Sequence, residues 1–250
     1  KVEDGCVNFC TYCIIPYARG RVRSLPVPTA VEQTRALAAE GYREIVVTGI
    51  EISSWGQDLK NGETLIDLLE AVCTAAPAVR IRLGSLEPRT ITEEFCRRAA
   101  ALPNLCPQFH LSMQSGCDDT LKRMNRKYDT TRYAQSVALL NQYFDHPAVT
   151  TDLITGFPEE TEEEFAQTLD FIRRCGFAQM HIFPYSVRPG TPAAKLQAAL
   201  HEALGESRRT FGITLSRRGE FTVSLSSADW GEAGSWDLMV ALAEQRLSSC

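Results

Sequence analysis

The 250-residue chain lacks any long hydrophobic run: the most apolar stretches, such as EIVVTGI at residues 44–50, are far too short to span a bilayer. No basic segment followed by an apolar core stands at the amino terminus, so nothing in the sequence argues for secretion. An excess of positive charge is missing too. The formal net charge is −5, which counts against a globally basic nucleic-acid binder and leaves only local patches for that role. Histidine is scarce, with four in all and none before His110. Nine cysteines is an odd number, and in a chain this long they do not form the even, dense pattern of a secreted disulfide scaffold. Cys73, Cys96, Cys106, Cys117, Cys175 and Cys250 are scattered and read as small buried hydrophobes in a reducing cytosol. The expected location is therefore cytoplasmic, with no membrane partner. Hydrophobic content of 44% and charged content of 23% predict an ordinary globular chain rather than disorder.

What is present is a strand–helix rhythm from residue 27 to about residue 200. PVPTAVEQTRALAAEGY carries Thr29 and Glu32 at capping-box spacing and a stopping Gly41, and predicts a helix. REIVVTG then reads as a buried parallel strand. The pairing recurs four more times: TLIDLLEAVCTAA with VRIRLGS, ITEEFCRRAAAL with QFHLSMQ, TTRYAQSVALLNQYF with AVTTDLITG, and TEEEFAQTLDFIRRCGF with QMHIFPYS. The last helix opens on a second capping box, Thr161 with Glu164, and KVED at residues 1–4 reads as the tail of a sixth strand. Such alternation predicts an α/β fold built of βαβ units around a parallel sheet. Each strand ends in small or polar residues, which places a ligand at the carboxyl ends. Residues 1–200 are expected to form this core. Residues 201–250 form an extension with a short β-like run, a Gly/Ser/Trp stretch and a helical end.

The chemistry concentrates in DGCVNFCTYCIIPYARGRVRS, residues 4–24, where Cys6, Cys10 and Cys13 form C-x3-C-x2-C. Structural zinc asks for four ligands, usually as two pairs, and no second pair or histidine lies nearby. A [4Fe–4S] cluster also takes four ligands, one per iron, so three thiolates leave one iron open to a small molecule. Buried apolar cysteines and an incomplete zinc site are the alternatives.

This motif, on a loop at the top of an alternating α/β fold, resembles the radical S-adenosylmethionine (radical SAM) enzymes. The resemblance implies a (β/α)6 partial TIM barrel, with the open iron chelating the amino and carboxylate groups of SAM. Electron transfer from the cluster would then cleave the sulfonium to a 5′-deoxyadenosyl radical. Tyr12 stands where the family places an aromatic beside the adenine. IIPYARG, VTGIEISSWGQDL, HLSMQSGCDDTLKRMNRKYDT, TDLITGFPEETEEEF and FPYSVRPGTPAA are similar to the methylthiotransferase branch. RLGSLEP and ARGRVRS resemble its members that act on threonylcarbamoyladenosine in tRNA. Siblings act on isopentenyladenosine in tRNA or on a ribosomal protein. The likeness covers about residues 1–196.

Carried over by position, Cys6, Cys10 and Cys13 would hold the cluster, and Thr48 and Gly49 would meet the SAM amino group. Ser85, Glu87, Gln114 and Ser115 become candidates for the SAM ribose and carboxylate or for the target base, with Asp152, Tyr185, Ser186 and Arg188 as further candidates. Two departures stand out: Glu159 replaces a usual glycine in GFPEET, and Glu51 replaces a frequent histidine. The resemblance leads one to expect an amino-terminal domain with a second [4Fe–4S] cluster on three more cysteines, which the sequence given does not include, and beyond residue 196 the likeness lapses with no RNA-binding tail recognised. A start at Lys1 accordingly reads as a piece of something longer, lacking a part needed for full activity.

Implied partners are tRNA, SAM and an electron donor such as flavodoxin or ferredoxin. Arg19, Arg21 and Arg23, and Lys122, Arg123, Arg126 and Lys127, are expected to meet phosphates, against a plain solvated face for the second group. Two other functions compete with the enzyme: an incomplete fragment that only binds cluster and SAM, and a zinc-binding nucleic-acid module.

Overall fold

A computed structural model of the chain describes residues 1–197 and the strand segments 211–215 and 221–225. Its first elements are short. Strand β1 (Glu3–Asp4) pairs antiparallel with β2 (Arg23–Ser24), and the cysteine loop and helix α1 (Ile15–Arg19) lie between them. The KVED segment is thus not a full sixth parallel strand. It joins the main sheet through one bond, from Val2 N–H to the Thr48 carbonyl at 2.8 Å.

Helix α2 (Val27–Ala39) starts earlier than its capping-box signal. Pro26 and Pro28 set backbone angles suited to a first turn, so the helix begins at Val27 and Thr29 makes no cap bond. Strand β3 (Glu44–Val47) follows, and helix α3 (Leu65–Ala75) opens on a capping box of Thr64 with Asp67. Strand β4 (Arg80–Leu83) lies parallel to β3. Beyond Gly84 the same extended segment continues as β5 (Ser85–Leu86), now paired with the next strand of the wall. Helix α4 (Glu93–Ala100), strand β6 (Gln108–Leu111), helices α5 (Asp118–Arg123) and α6 (Thr130–Tyr143), strand β7 (Ala148–Thr155), helix α7 (Glu162–Cys175) and strand β8 (Gln179–Pro184) complete it. Thr161 and Glu164 do form the expected capping box on α7, and Gly176 ends that helix at φ 63°.

In space the parallel strands follow their order in the chain: β3 beside β4, then β5, β6, β7 and β8. Winding in one direction, with a helix between successive strands except where β4 runs on into β5, curls the sheet into an open barrel wall. β9 (Phe211–Leu215) adds antiparallel to β8, and β10 (Phe221–Leu225) closes a hairpin on it. Part of the unassigned extension therefore continues the sheet. The remainder of 201–250, the helical end included, lies outside the described residues.

The two faces of the wall differ because side chains alternate along a strand. Ile81, Leu83, Phe109, Leu111, Val149 and Leu153 point outward into one core with Leu68, Leu69, Val72, Phe95, Tyr133, Leu140 and Phe171 of the helices. Burial of each large apolar side chain contributes about 1.5–3 kcal/mol. Cys73 and Cys96 are buried in this core with Cys175 packed against it, while Cys117 is buried elsewhere and Cys106 is half-buried, all as free thiols. The opposite positions, Gln108, His110, Thr150, Asp152, His181 and Phe183, line the concave side and stay partly open.

Candidate functional site

The cysteine loop crosses the carboxyl end of the wall. It turns at Gly5, whose φ is 90° and where a Cβ would sit 2.0 Å from the Arg21 carbonyl oxygen, so no other residue fits. Cys6 N–H donates to Gly20 O at 3.0 Å, and Cys13 N–H to Cys10 O at 3.0 Å. Thr11 pins the loop to the end of α5: its N–H reaches Met124 O at 3.1 Å and its hydroxyl reaches Arg123 O at 2.8 Å. Asn125 donates to Phe9 O at 2.8 Å, and Phe9 itself is held at φ 50°. A bulky residue in the left-handed region is strained, and the strain sits between the first two thiols.

Cys10 is buried, and Cys6 and Cys13 are half-buried. Burial pushes the Cys6 thiol up to about 11, and Glu51, Cys10 and Cys13 push in the same direction. Cys13 is raised by burial and by Cys10 as well. Cys6 and Cys13 thus lie within electrostatic reach of Cys10, and a metal binds such cysteines as thiolates. Among the described residues no three His, Cys, Asp or Glu side chains close round a single ion. The donor set instead fits a [4Fe–4S] cluster, a wider object in which each thiolate takes its own iron and the fourth iron is left without a protein ligand.

Around the thiols stands a polar ring. Arg126 Nη1 donates to Cys10 Sγ at 3.3 Å and to the Tyr12 hydroxyl at 3.3 Å, while its Nε reaches the Tyr128 hydroxyl at 3.0 Å. Glu51 accepts from Asn8 Nδ2 at 3.3 Å and from Ser53 N–H at 3.2 Å; burial and the nearby Glu87 raise its pKa. Glu87 is 7% exposed and held by Arg89 through two bonds of 2.6 and 2.8 Å. Gly49 has no room for a side chain, because a Cβ would lie 2.6 Å from the Glu3 carboxylate. That carboxylate accepts from Glu51 N–H at 2.8 Å and so fixes the loop after β3. Thr48 at the end of β3 holds Val2 through its carbonyl.

Tyr12 packs edge-on against Phe157 at 6.3 Å, and Phe157 against Tyr185 at 5.4 Å, which makes an aromatic corner beside Cys13. Gln114, at φ 67°, bridges to β7 through its own backbone, donating to Asp152 O and accepting from Ile154 N–H. Ser115 is turned inside, its hydroxyl 3.2 Å from that of Thr168 and accepting Cys117 N–H at 3.2 Å. Ser85 and Asp152 lie on the concave face, below the loop, where Asp152 faces His110 Nε2 at 3.3 Å. Ser186 and Arg188 are exposed past β8, and Arg188 is close enough to oppose part of the upward shift that burial gives Cys13.

The second basic group divides. Arg123 is ion-paired with Glu164 and Arg126 is turned into the site, so only Lys122 and Lys127 face solvent. Of the first group Arg23 pairs with Asp4 at 3.5 Å, while Arg19 and Arg21 stand exposed. Sequence reasoning missed His110, His181 and Phe183; the alternation within QFHLSMQ, AVTTDLITG and QMHIFPYS carries them.

The model of the Radical SAM superfamily matches residues 2–172. The chain belongs to that superfamily. Its fold agrees: a radical SAM methyltransferase from Kitasatospora setae, solved with cobalamin and a [4Fe–4S] cluster, aligns with a TM-score of 0.66 at 17% identity over 86% of this chain and 42% of that one. Methylornithine synthase aligns at 0.56 and 13% identity over 76% of this chain and 53% of its own. Among relatives by sequence, the threonylcarbamoyladenosine tRNA methylthiotransferases of Thermotoga maritima and Bacillus subtilis are 40% and 41% identical, over 83% and 86% of this chain and 48% of each relative. A tRNA-2-methylthio-N(6)-dimethylallyladenosine synthase of Clostridium botulinum is 40% identical over 82% of this chain and 45% of its own length. This radical SAM chain spans about half the length of these relatives. No helix among its described residues is long and apolar enough to cross a membrane.

Proposed function

We propose that this chain is the radical SAM portion of a tRNA methylthiotransferase whose target is N6-threonylcarbamoyladenosine beside the anticodon, modified at carbon 2 of the adenine. The observation that carries the reading is the three-thiol loop at the carboxyl end of the barrel wall, in a chain about 40% identical to such enzymes. When bound, the cluster and SAM supply one-electron chemistry that activates a C–H bond. Cys6, Cys10 and Cys13 hold the cluster. Thr48, Gly49, Glu87 and Gln114, with Arg126, surround the space for the amino, carboxylate and ribose groups of SAM. Tyr12 and Tyr185 frame its adenine, and Asp152 and Ser85 face the target base. Ser115 acts from inside, by holding the loop that carries Gln114 against Thr168. The partners this reading requires are tRNA and a one-electron donor such as flavodoxin or ferredoxin.

The polar concave face favours the threonylcarbamoyl over the dimethylallyl substrate. Gln108, His110, Thr150 and Asp152 bond one another there, and His181 beside them is left open, so a prenyl group against that ring would leave its nitrogens without partners.

Anaerobic reconstitution tests the reading. About four irons per chain and 5′-deoxyadenosine from SAM under reductant are expected. Zinc binding in place of iron, or an iron-loaded protein that yields no 5′-deoxyadenosine, sinks it. Methylthiolation of the RNA is expected only in a chain extended to the full length of its relatives, and is read by mass spectrometry of digested tRNA, with the threonylcarbamoyl nucleoside consumed and the dimethylallyl one untouched.

A further inference from the structure

On β8, alternation sends Met180 and Ile182 to the helix side and His181 and Phe183 to the concave side. Phe183 is 51% exposed, and its ring stacks on His181 with centroids 6.4 Å apart and planes at 28°. The register sets Asp152 of β7 directly beside His181. His110 has both ring nitrogens engaged, Nε2 with Asp152 Oδ2 at 3.3 Å and Nδ1 with the Thr150 hydroxyl at 3.0 Å. Its ring lies 6.3 Å from that of His181. The nitrogens of His181 make no hydrogen bond among the described residues. A ladder of satisfied polar groups therefore ends in one ring that is open on the concave side, with an exposed aromatic beside it.

That arrangement suits a ligand group with hydrogen-bond acceptors attached to a flat base. The threonylcarbamoyl substituent carries a carboxylate, a hydroxyl and a urea carbonyl, whereas a dimethylallyl substituent carries no acceptor. We propose that His181 is the specificity-determining residue of this site: its imidazole donates a hydrogen bond to the polar N6 substituent of the target adenosine, beside Phe183. His110 is a positioning residue, holding Asp152 where it flanks that ring. This inference rests on the threonylcarbamoyladenosine reading and names the side chain that enforces it.

The test compares binding of anticodon stem-loop RNAs carrying N6-threonylcarbamoyladenosine, N6-dimethylallyladenosine or adenosine at the target position. Binding is followed by fluorescence anisotropy at one fixed salt concentration. Wild-type protein is expected to prefer the threonylcarbamoyl RNA over the dimethylallyl RNA by about tenfold, the effect of one good hydrogen bond to a charged group. His181→Leu should bring that ratio close to one, and His181→Gln, which keeps an N–H donor, should retain part of it. If both variants keep the wild-type ratio, including by weakening all three RNAs equally, the proposal is overturned and the substrate reading stands. A wild-type protein without the preference, or with the opposite one, overturns the substrate reading and the proposal together. Because His181 is exposed, thermal melts of both variants are expected to match wild type.

Discussion

Arg126 aims Nη1 at Cys10 Sγ over 3.3 Å, so the cation bonded to this thiol is a guanidinium that the fold has turned inward. Its face lies over the Tyr128 ring at 4.9 Å, and the Tyr128 hydroxyl in turn donates to Met113 O at 2.9 Å. The arginine is thereby held by an aromatic wall and a strand end, with little freedom to move.

An N–H donor to a metal-bound thiolate orients it and tunes the metal. Replacing Arg126 with methionine should weaken cluster retention by about ten- to a hundredfold, the usual cost of losing a supporting hydrogen bond behind a ligand. The cluster that remains should reduce at a lower potential, since a donor to sulfur stabilises the more electron-rich state. Iron and sulfide analysis after reconstitution, with a potentiometric EPR titration, reads both effects. Arg126→Lys should fall between. Unchanged potential and loading in the methionine variant would show that the contact does not act on the cluster.

Arg19 and Arg21 are exposed near the cysteine loop, whereas Arg23 is tied to Asp4 and to the Arg19 and Arg21 carbonyls. If the first two meet RNA phosphates, Arg19→Ala and Arg21→Ala should each flatten the plot of log affinity against log salt by about one unit. Arg23→Ala should change it less. Identical slopes for all three variants and wild type would remove these arginines from the RNA contact.

Glu159 occupies the left-handed region at φ 66°, where a side chain other than glycine is strained by about 1–2 kcal/mol. Glu159→Gly should stabilise the protein by about 1 kcal/mol, because the gain in unfolded-chain entropy offsets part of the relief. For a domain of this size that is a rise of about 2–4 °C in Tm, read by a thermal melt. A fall in Tm would mean that the Glu159 side chain makes a compensating contact.

Glu160 is the acid whose titration should be visible in stability. Burial raises it to about 7, against an ordinary 4.5, although the Gly156 and Phe157 N–H groups bond its Oε2 at 2.7 and 3.2 Å. Between those two values the folded chain holds a proton that the unfolded chain has released. The stabilisation is complete below about 4.5 and is lost as pH rises through about 7. At about 1.4 kcal/mol per unit, the contribution is at most about 3.5 kcal/mol. Urea midpoints of wild type should therefore fall across this window more than those of Glu160→Gln. Parallel curves would rule out Glu160 as the source.

Local signals were legible where their physics is local. The capping box of Thr161 with Glu164 spans three residues and needs nothing from the rest of the chain, so it forms as read. Thr29 with Glu32 has the same spacing, but the prolines at 26 and 28 start the helix before it. Glu159 was readable as a departure, and the backbone angle then gave that departure its strain. Arg126 was not readable. Beside Lys122, Arg123 and Lys127 it looks like part of a charged face, yet α5 ends at Arg123 and Asn125 takes φ 57°, which swings the following residue inward.

By itself the sequence determined the parallel α/β alternation, the loop with three thiols and the end of the sheet where a ligand belongs. These follow from periods, spacings and valences carried by neighbouring residues. Which side chains meet was decided only by tertiary structure. Arg126 reaches Cys10 across 116 positions, and Asp152 meets His110 through strand register. Such pairs come from how separate segments dock, and a slip of one residue in the β6–β7 register would turn the His110 and Asp152 side chains to opposite faces.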